Sequence, residues 1–232
     1  MNAPTLKAWG VHLYTAFGAA LGFFALVATW GGNYRLAFLW MAVALFIDCT
    51  DGTLARRVRV KQILPHFDGA KLDDIVDYLN YVVVPMVLAY HAGLIPPGPA
   101  GLIVGSLPLL ASGYGFSQID AKTEDHFFKG FPSYWNVVVF YVYALGTPIW
   151  FNVTVFVLLA LLVFVPIRYL YPSRTPTARR TTYVLGGVWA ICLLYLLTQF
   201  PAPSRFLTWL SLFFPAYYMT MSFHLHFRNS VR

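Results

Sequence analysis

RLAFLWMAVALFIDCTDGTLA, residues 35–55, is the stretch that decides the fold. It is apolar without a break from Leu36 to Ile47 and then turns acidic at Asp48 and Asp51. A helix crossing a bilayer needs about 20 residues, so 35–55 counts as one span with two carboxylates near its end. Seven further candidates follow by the same rule: 11–29, 72–92, 99–119, 132–148, 149–168, 183–200 and 206–225. The breaks between them are turn-rich, as at Gly31-Gly32-Asn33, Pro96-Pro97-Gly98-Pro99 and Pro201-Ala202-Pro203. Composition agrees. Of 232 residues, 59% are hydrophobic and 11% charged, against roughly 25% charged in soluble domains. The expectation is an all-α, polytopic membrane bundle of about eight helices, forming a single domain over 1–232.

Charge orients it. With eight spans and both termini cytoplasmic, all of the 16 Lys and Arg residues except Arg35 and Arg205 fall inside. A single crossing over 132–168 would move Arg168, Arg174, Arg179 and Arg180 outside, so two crossings are expected there. The first span follows Lys7 with no cleavage site and reads as a retained helix. The net charge of +7 comes without any aromatic-basic RNA motif, so no nucleic-acid partner is expected. Basic residues beside spans set topology and meet anionic membrane lipids. Cys49 and Cys192 lie apart in apolar runs and suggest neither a disulfide nor a zinc site.

All nine acids lie between Asp48 and Asp125, at cytoplasmic helix ends or loops in this topology. Four of them stand in register: Asp48-x-x-Asp51-Gly52-x-x-Ala55-Arg56, then twelve residues, then Gly69-x-x-x-Asp73-x-x-x-Asp77. At 100° per residue, 48, 51, 52, 55 and 56 share one helical side, and 69, 73 and 77 share another. Two neighbouring antiparallel helices would aim four carboxylates at one point. Hard oxygen ligands of this kind suit Mg²⁺ or Mn²⁺. The plainer reading is an interface in which the acids pair with Arg56, Arg57, Arg59 and Lys71. Intramembrane carboxylates that repel one another favour a functional site. Asp74 points about 100° away from Asp73 and is expected to be solvated or to stand behind the ligating acids. The glycines should each have a local reason, because glycine in a helix interior costs about 1 kcal/mol.

This motif resembles the full signature of the CDP-alcohol phosphotransferase family. The resemblance implies an integral membrane enzyme that moves a phosphatidyl-type group from a CDP-linked donor to an alcohol and releases CMP. Asp48, Asp51, Asp73 and Asp77 would hold Mn²⁺ or Mg²⁺, as two ions, and Asp77 would also act as base on the acceptor hydroxyl. Gly52, Ala55 and Gly69 would make room for the cytidine, and Arg56 would contact phosphate. The long spacer from Arg57 to Asp68 departs from most of the family. Together with Phe127–Asn136 and Pro166–Arg174 it resembles the bacterial phosphatidylcholine synthase branch. That branch implies CDP-diacylglycerol and choline as substrates, the inner membrane as location, and a site open to the cytoplasm. It leaves room for a homodimer.

A choline site should present aromatic faces. Tyr81, one turn beyond Asp77, and Tyr134 and Trp135, just after the loop, are the expected cage. Lys129, Arg168 and Arg174 are expected at the donor's lipid-side phosphate. For each of these the alternative is ordinary interface aromatics or inward-facing positive charge. Serine, inositol or glycerol phosphate are the competing acceptors. A cation-coupled transporter is disfavoured because no internal repeat is visible and the acids lie off the midplane.

Overall fold

The computed structural model describes residues 2–123, 125, 127–172, 175 and 177–230, the side chains of 229 and 230 excepted. Helices α1 (Ala3–Trp30) and α2 (Tyr34–Val58) form a long antiparallel hairpin. Asn2 and Asn33 cap their N-termini, accepting from the amides of Thr5 and Leu36 at 3.1 Å each. α2 stops at Arg59, which is left-handed. A single turn, α3 (Val60–Ile63), then leads to α4 (Gly69–Tyr78), α5 (Val84–His91) and α6 (Gly98–Ser117). Asp68 caps α4, accepting from the amides of Ala70 and Lys71.

Between α4 and α5 the helix continues through one π turn, Leu79–Val83. Pro85 explains it. Proline has no N–H to return to the Tyr81 carbonyl, and its ring crowds the preceding turn. The chain widens instead, and the Val84 amide donates back to the Leu79 carbonyl. Such turns recur at functional sites, and this one carries Tyr81.

After α6 come β1 (Phe127–Lys129), α7 (Trp135–Leu145), α8 (Ile149–Phe164), β2 (Arg168–Leu170), α9 (Arg179–Thr198), α10 (Arg205–Ser211) and α11 (Phe213–Ser230). α1, α2, α6 and α9 are long and apolar enough to cross a membrane. α7 and α8 are apolar but shorter. The fold is thus the helical membrane type expected, with two corrections. The stretch expected as span 132–148 is helical only over Trp135–Leu145. The span expected over 149–168 is helical over Ile149–Phe164, and Arg168–Leu170 beyond it pairs as a strand with Phe127–Lys129 of the expected break: β1 and β2 are antiparallel, with Lys129 opposite Arg168. Large apolar side chains such as Trp30, Phe46, Leu110 and Ile191 point outward, as lipid-facing residues do.

α1 packs along α2 and also along α4. Small residues let it approach. A Cβ on Gly18 would lie 2.6 Å from Val76 Cγ1, and one on Gly22 would lie 2.9 Å from Asn80 Oδ1. Asn80 Nδ2 donates to the Gly18 carbonyl at 3.0 Å. The expectation that α2 and α4 alone frame the acids is therefore incomplete, because α1 is the third wall.

Candidate active site

Oxygens of Asp48, Asp73 and Asp77 come within 4.8 Å of one another. Asp51 lines the same cleft, beside Thr15 of α1 and Tyr81 of the π turn. Helical register supplies most of this: Asp48 and Asp51 are one turn apart on α2, and Asp73 and Asp77 one turn apart on α4. Two hydroxyls hold the carboxylates in place. Thr15 Oγ1 donates to Asp51 Oδ2 at 2.7 Å, and Tyr81 donates to Asp48 Oδ2 at 2.6 Å. Asp51 and Tyr81 are both buried. Four carboxylates this close repel strongly unless cations join them. Their oxygens are hard donors spaced for a small divalent ion.

The remaining motif residues sit around this cleft. A Cβ on Gly52 would meet Arg56 Nη1 at 3.3 Å, so the missing side chain leaves room for the Arg56 guanidinium. Ala55 is half-buried one turn on, and Arg56 is exposed and donates to Thr53 Oγ1 at 2.9 Å. Gly69 is different from expectation. It opens α4 rather than lying inside a helix, and its missing side chain is answered by His12, whose Cε1 would stand 2.6 Å from a Cβ.

The geometry places this cluster inside the segment, residues 12–112, that matches the family model described as CDP-alcohol phosphatidyltransferase. Similarity to whole proteins extends further. The chain is 41% identical over 224 residues to the phosphatidylcholine synthase of Legionella pneumophila, covering 94% of this chain and 88% of that one. It is 39% identical to the Pseudomonas aeruginosa phosphatidylcholine synthase, covering 84% and 82%. Against the Borreliella burgdorferi phosphatidylcholine synthase the identity is 34%, covering 86% and 84%. The chain belongs to the CDP-alcohol phosphatidyltransferase family. As a member of this family it is a CDP-alcohol phosphotransferase, and the acidic cluster lies within the matched residues.

The aromatic residues divide. Tyr81 and Tyr134 meet with ring centroids 6.0 Å apart. Trp135 does not join them. It is fully buried against Phe131 and Phe156, and its indole N–H donates to Ser112 Oγ at 2.8 Å. Tyr134 stands just before α7 and Trp135 opens it, so the two neighbours point to different surroundings: Tyr134 to Tyr81 and Trp135 to the core. Tyr218 of α11 takes the third place, 5.9 Å from Tyr134. Its hydroxyl donates to the Leu170 carbonyl of β2 at 2.8 Å.

The expected phosphate contacts are already engaged. Lys129 pairs with Asp120 at 2.6 Å and Arg168 with Asp125 at 2.9 Å. Arg174 lies outside the described residues. The Lys129 ammonium, through its hydrogen bond, holds the Asp120 carboxyl below the usual carboxylate range. Lys122 reaches elsewhere, to Asp74 of α4 at 3.1 Å, where the acid is both partly exposed and paired. Burial alone would lower the Lys122 ammonium, but the Asp74 and Asp73 carboxylates outweigh it and hold its pKa above the ordinary lysine value.

Three residues of this site escaped sequence reasoning. Thr15 is one threonine in an apolar helix, 36 positions from Asp51. Lys122 is one of several basic loop residues. Tyr218 is one of 42 aromatics, the sum of 20 Phe, 15 Tyr and 7 Trp. No local pattern singles out any of them.

Proposed function

We propose that this chain transfers the phosphatidyl group of CDP-diacylglycerol to choline and releases CMP at the cytoplasmic face of a bacterial inner membrane. The carrying observation is the convergence of Asp48, Asp73 and Asp77 beside a tyrosine-lined wall, in a chain whose relatives bear the name phosphatidylcholine synthase. The chain acts as one domain of eight crossings with both termini inside, an arrangement favoured by its distribution of Lys and Arg.

The donor's acyl chains stay in lipid and its diphosphate enters the cleft. Two divalent ions, Mg²⁺ or Mn²⁺, suit Asp48, Asp51, Asp73 and Asp77, and when bound would neutralise charge on the diphosphate and on the leaving CMP. Thr15 and Tyr81 fix two of these carboxylates before substrate arrives, which lowers the reorganisation needed at reaction. Gly52 and Ala55 offer the nucleotide a face of small residues on α2, and the Arg56 guanidinium beside Gly52 is at hand for a phosphate. Choline's quaternary ammonium has no N–H to donate, so ring faces and a nearby carboxylate are what can hold it. Tyr81, Tyr134 and Tyr218 provide the faces. Asp77 takes the proton of choline's hydroxyl as its oxygen bonds to the lipid-side phosphorus. The bond from that phosphorus to CMP breaks, and CMP leaves with the electron pair.

The test is an acceptor panel. Purified full-length protein is incubated with CDP-diacylglycerol and Mn²⁺, and with choline, serine, inositol or glycerol 3-phosphate in turn. CMP and phosphatidylcholine should appear with choline alone. CMP with serine but not choline would overturn the acceptor and leave the family chemistry standing.

A further inference from the structure

Four carboxylates offset the formal charge of two divalent cations, so a protein cation beside the cluster would add to what the ions supply to the diphosphate. Arg56 is turned to Thr53 on its own helix. Lys129 and Arg168 pair with Asp120 and Asp125, acids of the α6–β1 loop and not of either helix that carries the cluster. Lys122 belongs to the same loop but crosses to α4, where its partner Asp74 is the immediate neighbour of Asp73.

The loop holds this lysine in place. Lys122 forms a β-bridge with Phe128. On either side the Lys129 amide donates to the Ala121 carbonyl at 3.0 Å, and the Thr123 amide donates to the Phe127 carbonyl at 2.9 Å. The Lys122–Asp74 pair is roughly two-fifths exposed on each partner. Exposed pairs of this kind are weak and readily exchanged, so a phosphate oxygen can replace Asp74 without rebuilding the loop.

We propose that Lys122 binds the lipid-side phosphate of the diphosphate donor, with Asp74 holding the ammonium at the mouth of the cleft until the donor enters. The inference rests on the transferase reading above. Arg56 lies at the end of α2, beside the positions assigned to the nucleotide, whereas Lys122 approaches from α4. That difference assigns it to the lipid half of the donor.

Binding is measured without acceptor, so a wrong acceptor would leave the test intact. Full-length protein in lipid nanodiscs with Mn²⁺ is titrated with CDP-diacylglycerol and, separately, with CMP, following intrinsic tryptophan fluorescence. Lys122→Gln should weaken CDP-diacylglycerol binding about tenfold, the scale of a charge-assisted hydrogen bond, and leave CMP binding unchanged. Lys122→Arg should restore most of the loss. Asp74→Asn breaks the same ion pair but keeps the lysine, so donor binding should hold or tighten. Three results would overturn the proposal: unchanged donor binding in Lys122→Gln, an equal loss for CMP, or an Asp74→Asn variant as impaired as Lys122→Gln.

Discussion

The first half of the molecule, α1 to α5, and the second, from β1 to α11, use polar residues in opposite ways. The first half leaves them ready for ligand. Asp48, Asp51, Asp73 and Asp77 face one cleft, and a lone hydroxyl steadies each of two of them. Among the described residues, the second half ties several buried polar groups into hydrogen bonds away from the cleft. Tyr141 bonds Ser211 and accepts from Trp189 Nε1, and Asn152 Nδ2 donates to the Leu94 carbonyl. A closed network rigidifies without offering chemistry. Tyr134 is where this second half meets Tyr81 of the cleft, and Tyr218 packs against Tyr134. The contrast teaches that the two halves are built differently: helical register aligns the carboxylates, and a braced scaffold carries the rings packed next to Tyr81.

The sharpest way to break this division is Asp77→Asn. If the first half carries the reaction, turnover should fall about 10²–10⁴-fold, the range for a lost general base, with donor binding little changed. Near-normal turnover would remove Asp77 from the role of base. A smaller effect is expected at Thr15. Thr15→Val leaves Asp51 without its hydroxyl partner, and a buried charged group in that state should cost about tenfold in the Mn²⁺ concentration for half-activation. Thr15→Ser should recover it.

Tyr218→Leu tests the second half. The choline KM should rise about fivefold, as for a lost cation–π face of about 1 kcal/mol. The uncharged isostere 3,3-dimethylbutan-1-ol should lose nothing as a competitive ligand. A parallel loss for choline and isostere would make Tyr218 a packing residue only. The smallest effect belongs to Arg168→Gln, which removes an exposed ion pair with Asp125. Turnover and donor KM should change less than about twofold. A tenfold rise in donor KM would return the lipid-side phosphate to the residue that the sequence suggested.

How much of the site was legible follows from how far each contact reaches. Asp48 with Asp51, and Asp73 with Asp77, are contacts within one helical turn, so periodicity alone aligns them. Gly69 was legible as a position and not in its cause, because the ring it admits comes from His12, 57 positions earlier. Tyr134 and Trp135 are neighbours in sequence with opposite fates. Only Ser112 on α6 and Tyr81 on the π turn decide which of the two enters the core. The strand pair was hidden for a similar reason. Three-residue strands have no period to detect, and β1 meets β2 across about 40 residues of intervening helix.

Hydropathy and the aspartate register determined, from sequence alone, a helical membrane protein with an acidic centre, and the resemblance of its motif added the CDP-alcohol phosphotransferase type. Hydropathy and register are local or additive properties, readable wherever the residues stand. The tertiary structure decided which hydroxyls hold the carboxylates, which tyrosine meets Tyr81 and which lysine pairs with Asp74. Those choices depend on side chains brought together from distant helices, where packing rather than spacing sets the neighbour.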